Sequence, residues 1–157
     1  MAEENSTLAT WQSLTRYPGG RWLFSKVVAW NAPYFKTIRP RVISLESGRC
    51  EVGIRKRRRV QNHIGTVHAI AICNAAELAA GLMTEASIPP SHRWIPKGMR
   101  VEYLKKAGTH LRAVAELSSV PEFGEGDELS VPVSVRDSAD EEVVRATITM
   151  WVTPRKT

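Results

Sequence analysis

Thr66-Val67-His68-Ala69-Ile70-Ala71-Ile72-Cys73-Asn74-Ala75-Ala76-Glu77-Leu78-Ala79-Ala80-Gly81-Leu82-Met83-Thr84-Glu85-Ala86 is the stretch on which the fold turns. It is rich in Ala and Leu, and Val67–Ala86 reads as one long helix with Thr66 as its N-cap. At ~1.5 Å per residue the helix is ~30 Å long. It is apolar almost all round, so the rest of the chain must enclose it on most sides. Ile88-Pro89-Pro90 ends it.

Strand patterns flank the helix on both sides. Before it, Val42–Glu46 is short, and Cys50, Val52 and Ile54 alternate with Glu51, Gly53 and Arg55. Ser47-Gly48-Arg49 between them reads as a hairpin turn. Four alternating runs follow the helix. Their apolar sides are Met99/Val101/Tyr103, Leu111/Ala113/Ala115/Leu117, Leu129/Val131/Val133/Val135 and Val144/Ala146/Ile148/Met150/Val152. Pro132 cannot donate to a ladder and is expected at an edge or bulge. Short connections rich in turn residues favour antiparallel neighbours. One apolar face per strand and one enclosed helix give an α+β architecture: an antiparallel sheet curled about that helix.

The first 37 residues read as two short helices. Leu8, Trp11 and Leu14 share one face of the first, which Tyr17-Pro18-Gly19-Gly20 stops. Leu23, Val27 and Trp30 share one face of the second, which Pro33 closes. A lid over a ligand and a plain packed layer both fit them. Trp22, Trp30, Tyr34, Phe35 and Trp94 fit either core packing or the wall of an apolar tunnel.

The whole chain, 157 residues, suits one domain, with 38–153 as core and 1–37 as a helical extension. A chain of this size buries ~68–70% of its extended surface. With 43% hydrophobic and 24% charged residues, a largely disordered chain is excluded. Two cysteines provide no disulfide framework. The start, MAEENSTLAT, lacks the charged and apolar stretches of a signal peptide. The most apolar window, Ile64–Met83, carries His68, Asn74 and Glu77, which a bilayer disfavours. The expectation is a soluble cytoplasmic protein with no membrane partner. The net charge of +6 favours an anionic ligand.

Several polar residues interrupt the apolar pattern: Asn62 and His63 before the helix, then His68, Asn74 and Glu77. Gly65 permits a tight strand-to-helix turn. N–H groups of a first helical turn lack partners within the helix, so they attract a carbonyl oxygen or anion. Glu77 sits among Ala and Leu, where a carboxylate needs a partner, or water, or a raised pKa. A poised carboxylate beside an oxyanion site suits acyl transfer or hydrolysis. Singly, Asn62 also fits a turn residue, His68 a cap, and Glu77 a solvated helix face.

Asn62-His63-Ile64-Gly65-Thr66-Val67-His68-Ala69-Ile70, with Glu77 fifteen residues after Asn62, resembles the core motif of the hotdog-fold acyl-CoA thioesterases. In the phenylacetate-pathway and human branch that motif reads N-x-x-G-x-x-H-G-G followed by a helix acid. The stretch is closer still to an uncharacterised bacterial branch with the signature G-T-x-H-A…E-L-A. The resemblance implies a six-stranded antiparallel sheet wrapped around one helix. It also implies that Asn62 positions substrate or water, and that His68 steadies the thioester end and the helix start. Ala69 N–H would be the oxyanion donor, with Gly65 and Thr66 lining the substrate approach, and Glu77 the general base or else a nucleophile forming an anhydride. Ala69 and Ile70 stand where that branch has Gly-Gly. A non-catalytic acyl-CoA or acyl-lipid binding protein is the alternative on the same scaffold.

His68 and Glu77 lie ~180° apart around a helix and ~13.5 Å apart along it, so one chain cannot converge them on a reacting group. Two antiparallel helices across a two-fold axis can. The resemblance implies that arrangement, a homodimer with two shared sites, and a tetramer remains open.

Arg55-Lys56-Arg57-Arg58-Arg59 is the densest run of charge. It reads as a solvated strand end, as a clamp for coenzyme A phosphates, or as a nucleic-acid contact. In the clamp reading Arg57, Arg59 and Arg100 bind substrate, with Lys97, Lys105 or Lys106 helping. Nucleic acid is not expected, because no helix-turn-helix, zinc spacing or RNA-binding aromatic motif is present. The four histidines lack metal-ligand spacing, so no metal is expected. No cofactor is implied beyond coenzyme A as part of the substrate.

Overall fold

The computed structural model describes residues 5–156. Two helices, α1 (Ser6–Thr15) and α2 (Gly20–Asn31), and a 3-10 turn at Pro33–Thr37 come first. The hairpin β1 (Arg41–Glu46) and β2 (Arg49–Ile54) precedes the long helix α3 (Ala69–Ser87). Then come β3 (His92–Tyr103), β4 (Leu111–Glu116), β5 (Asp127–Arg136) and β6 (Glu142–Pro154). The strands form one antiparallel sheet in the order β1-β2-β4-β5-β6-β3.

The alternating residues do what their pattern requires. Val52, Ala113, Ala115, Val131, Val133, Val135, Ile148 and Met150 are essentially inaccessible and face α3. From α3 itself, Ala75, Ala79, Ala80 and Met83 are fully enclosed. Small side chains let the sheet approach the helix closely on several sides. This helix is also the only one among the described residues long and apolar enough to cross a membrane, and its apolar length is mostly enclosed by the sheet.

Four expectations need correction. The helix starts at Ala69 with His68 as N-cap, two residues after the expected Thr66. Thr66 and Val67 are held elsewhere, Thr66 by a turn with Asn62 and Val67 by a bridge to Gln61. In α2 the enclosed face is Phe24, Ser25 and Ala29, whereas Leu23, Val27 and Trp30 are exposed. The reason is Ser25, whose hydroxyl accepts from Val42 N–H at 2.8 Å and so turns that face toward β1.

Pro132 lies in an interior strand rather than at the sheet's rim. The β4–β5 ladder nevertheless ends at Ala115–Val133, so from Pro132 back to Asp127 β5 has only β6 beside it. The fourth correction is β3, which starts at His92, well before Met99. It is an edge strand with a register shift between Pro96 and Gly98, and Met99 and Tyr103 are left exposed.

The amino-terminal helices pack over α3 on the side the sheet leaves open. Trp11 and Phe24 meet edge-to-face at 5.1 Å and join α1 to α2. Asn5 caps α1 by accepting from Leu8 N–H, and its amide donates to the Glu85 carbonyl of α3.

Candidate active site

The segment before α3 is a self-bonded turn. Asn62 Oδ1 accepts from Ile64 N–H at 3.2 Å and Thr66 N–H at 3.1 Å, and its Nδ2 donates to the Thr66 hydroxyl at 2.8 Å. Gly65 has φ +79°, a left-handed conformation that side chains disfavour. The carbonyl of Asn62 is thus taken up in shaping the loop, and one hydrogen of its amide is left over.

His68 closes the helix end. Its Nδ1 accepts from Ile70 N–H at 3.1 Å, which puts the proton of the neutral ring on Nε2. Ile72 N–H is the first to reach a carbonyl across the helix turn, that of His68. The Ala69 and Ala71 N–H groups fall in the first turn, where no intrahelical acceptor exists. Side chains at Ala69 and Ile70 flank this end, and that of Ile70 is exposed.

His68 lines a small hollow with Tyr34, Thr37, Arg59, Ile70 and Asn74. The buried Asn74 donates to the Thr37 hydroxyl at 3.1 Å, which accounts for its amide inside an apolar helix.

Glu77 is half-buried and opens into a different hollow of about 380 Å³. That hollow is mainly apolar and lies between α1, α2, α3 and β3, with Phe24, Val28, Phe35, Leu78 and Trp94 among its walls. Asn62, His68 and Glu77 are therefore not brought together within one chain.

Ile70, Cys73 and Glu77 form one stripe along α3. Its first part is uncovered. Ile70, Met99, Tyr103 and Leu104 are all exposed beside it, and Tyr103 Oη lies 3.5 Å from Cys73 Sγ.

The cationic residues separate into different places. Arg59 stands by His68. Arg57 faces a surface groove shared with Arg39, Arg41, Arg55 and Lys56, and it donates to the Thr37 carbonyl at 2.7 Å. Burial, then the charges of Arg39 and Arg59, hold its guanidinium below the usual arginine range. Arg100 alternates with Met99 and Val101, so it points from the opposite face of β3, where it pairs with Glu102 at 3.2 Å. Lys97 and Lys105 are engaged by Glu128 and Glu141. Sequence reasoning missed Glu85, which accepts from Trp94 Nε1–H at 2.5 Å and closes one end of the Glu77 hollow. The lone glycine of α3, Gly81, was its available signal, since the Trp94 ring lies against that position.

A family model described as a domain of unknown function, DUF4442, matches residues 20–152. The chain is a member of the DUF4442 family. The structural-genomics target APC5556 is 49% identical, with a TM-score of 0.83, and the match covers 95% of this DUF4442 chain and 99% of that one. PA5026 from Pseudomonas aeruginosa, described as a probable thioesterase, is 20% identical at TM-score 0.74, covering 81% and 91%. The thioesterase HI1161 from Haemophilus influenzae is 11% identical at TM-score 0.68, covering 77% and 82%. No curated protein matches the sequence. The last two likenesses concern the fold, and this DUF4442 protein has the hotdog architecture of thioesterases.

Proposed function

We propose that this DUF4442 protein is a homodimeric hydrolase of acyl thioesters, acyl-CoA foremost, with each site shared between two chains. The observation that carries the reading is Glu77, an acid half-buried in an apolar hollow at the end of an uncovered apolar stripe. Cys73 is midway between Ala69 and Glu77 in sequence. A two-fold axis passing near Cys73 therefore sets the partner's helix start level with Glu77. The exposed Ile70, Met99 and Tyr103 supply the apolar surface such a contact needs.

In this arrangement Glu77 takes a proton from water, and the hydroxide attacks the thioester carbon. The oxyanion is met by the Ala69 N–H of the other chain, reinforced by the helix dipole. The remaining Asn62 amide hydrogen holds the carbonyl or the water, and His68 keeps the helix end in shape. The carbon–sulfur bond then breaks, and the thiolate recovers the proton from Glu77. Gly65 and Thr66 line the approach, while Arg57, Arg59 and Arg100 meet the coenzyme A phosphates from one chain or the other.

A second reading, a binder of acyl-CoA or acyl lipid without catalysis, is favoured by the Ile70 side chain beside the helix start and by the engaged Asn62 carbonyl. Thiol release from a panel of acyl-CoA esters, read beside calorimetric binding of a non-hydrolysable thioether analogue, separates the two. Hydrolysis abolished by Glu77→Gln supports the first, and binding with no release supports the second.

A further inference from the structure

We propose that the hollow beneath the amino-terminal helices takes the acyl chain of the thioester, and that Trp94, braced by Glu85, sets the chain length accepted. The proposal rests on the reading of Glu77 as the group at the reacting carbon. Glu77, Leu78, Gly81, Leu82 and Glu85 lie along one side of α3 and all line the hollow. Glu77 stands at one end, and Glu85 lies two turns on, ~12 Å along the axis. A chain whose carbonyl is held beside Glu77 therefore runs down α3 toward Glu85.

The far end is closed by a built contact. Trp94 comes from β3 and its Nε1–H donates to the Glu85 carboxylate at 2.5 Å. Its ring rests on Gly81, where an added Cβ would meet the ring Cη2 at 2.8 Å. Only glycine lets the indole lie flat against the helix there. Behind this wall is a second hollow of about 370 Å³, which also has Ser6 and Glu85 in its lining. Ser6 and Glu85 thus stand between the two spaces, and the indole that Glu85 braces closes the first.

The size of the first space selects the ligand. A cavity of ~150 Å³ holds one six-carbon benzene molecule, so about 380 Å³ sets an upper bound of ~15 carbons by volume, and the ~12 Å run from Glu77 to Glu85 is shorter than an extended chain of that length. The expected substrates are medium-chain acyl thioesters rather than acetyl or palmitoyl.

The test measures thiol release and thioether-analogue binding for saturated acyl-CoA chains from hexanoyl to palmitoyl. It uses the protein and its Trp94→Ala, Trp94→Phe and Gly81→Ala variants, each checked for folding by circular dichroism. Each methylene newly accommodated strengthens binding by a factor of about four. Trp94→Ala is expected to move the optimum toward palmitoyl. Trp94→Phe is expected to shift it less, and Gly81→Ala, by pushing the indole into the hollow, to move it toward shorter chains. An unchanged length profile in folded Trp94→Ala and Gly81→Ala overturns the proposal. So does a parent protein that binds none of the chains. If Trp94→Ala does not fold, Gly81→Ala and Trp94→Phe decide. Binding that follows the expected length pattern without thiol release upholds the pocket and removes the hydrolase reading. Release with a profile indifferent to these residues does the reverse.

Discussion

Glu77 and His68 stand on opposite flanks of α3 and open into separate hollows. The separation follows from helix geometry alone and no side-chain rotation removes it. If the two act on one thioester, they come from different chains. Mixed dimers of Glu77→Ala and His68→Ala chains then contain one intact site and one doubly damaged site. Coexpression with two affinity tags should recover activity that neither homodimer has. Each single variant should lose about 10²–10⁴ in kcat if it supplies the base, which is the expectation for Glu77→Ala. Full activity in Glu77→Ala would remove the base assignment.

The position of Cys73 offers a direct probe of the proposed axis. Helices in contact lie ~8–10 Å apart, so two Cys73 thiols facing each other across a two-fold axis are close enough for an oxidant to join. The other thiol, Cys50, is buried, and that burial pushes its pKa up and leaves it inert. Diamide treatment should yield a covalent dimer on a non-reducing gel, absent in Cys73→Ser. A monomeric band in both, together with monomer mass by light scattering, would refute the shared site.

Coenzyme A carries several phosphate charges; Arg57 sits in a crowded positive groove and feels the charge of Arg59, which stands by His68. Raising ionic strength from about 0.05 M to about 0.5 M shortens the Debye length several-fold. KM for acyl-CoA should rise over that range, while KM for a short uncharged acyl thioester should stay level. Arg59→Gln should raise the acyl-CoA KM with little change in kcat. A KM indifferent to salt would remove the clamp.

How far the sequence foretold this fold depended on the kind of signal. Period-two alternation marked β2, β4, β5 and β6, each of which buries one face against the helix along its length, and failed on β3, an edge strand whose Met99 and Tyr103 stay exposed. The helix start was misplaced because Thr66 has the chemistry of a cap but is engaged by Asn62, and the ring of His68 does the capping instead. The wrong face of α2 was chosen because Trp30 and Leu23 outweigh Ser25 on any apolar scale. One hydroxyl bonded to Val42 N–H outweighs them in the fold. The separation of His68 from Glu77 was legible, since it needs only 3.6 residues per turn. The Trp94–Glu85 contact was not, because it joins β3 to α3 through a tertiary approach that Gly81 hints at without naming the visitor.

Glu51 read as the polar side of an alternating strand, yet it is buried between Arg112 at 2.7 Å and Arg49 at 3.5 Å. Glu51→Ala leaves two guanidinium groups facing each other over β2. The expected loss is about 1–3 kcal/mol in urea unfolding, with native circular dichroism retained. A variant as stable as the parent would mean that water serves these arginines equally well.

Glu142 provides a pH signature. Its hydrogen bond from Arg145 at 2.5 Å holds the carboxyl below the usual carboxylate range. A depressed folded-state pKa adds stability that is present above the unfolded value and lost as pH falls through the folded one. Acid unfolding of the parent should therefore be steeper than that of Glu142→Gln. The two curves should converge at the acid end, and parallel curves would contradict this.

The sheet order carries a consequence for biosynthesis. β3 follows α3 directly in the chain, but among the described strands its only ladder partner is β6, the last of them in chain order. Until Pro154 leaves the ribosome, β3 has nothing to pair with, and one flank of the apolar α3 stays unsheathed. Closure is thus a late, long-range event of the kind that slows folding and invites chaperones. A stop codon anywhere in the final strand should yield an insoluble product rather than a slightly shorter working protein.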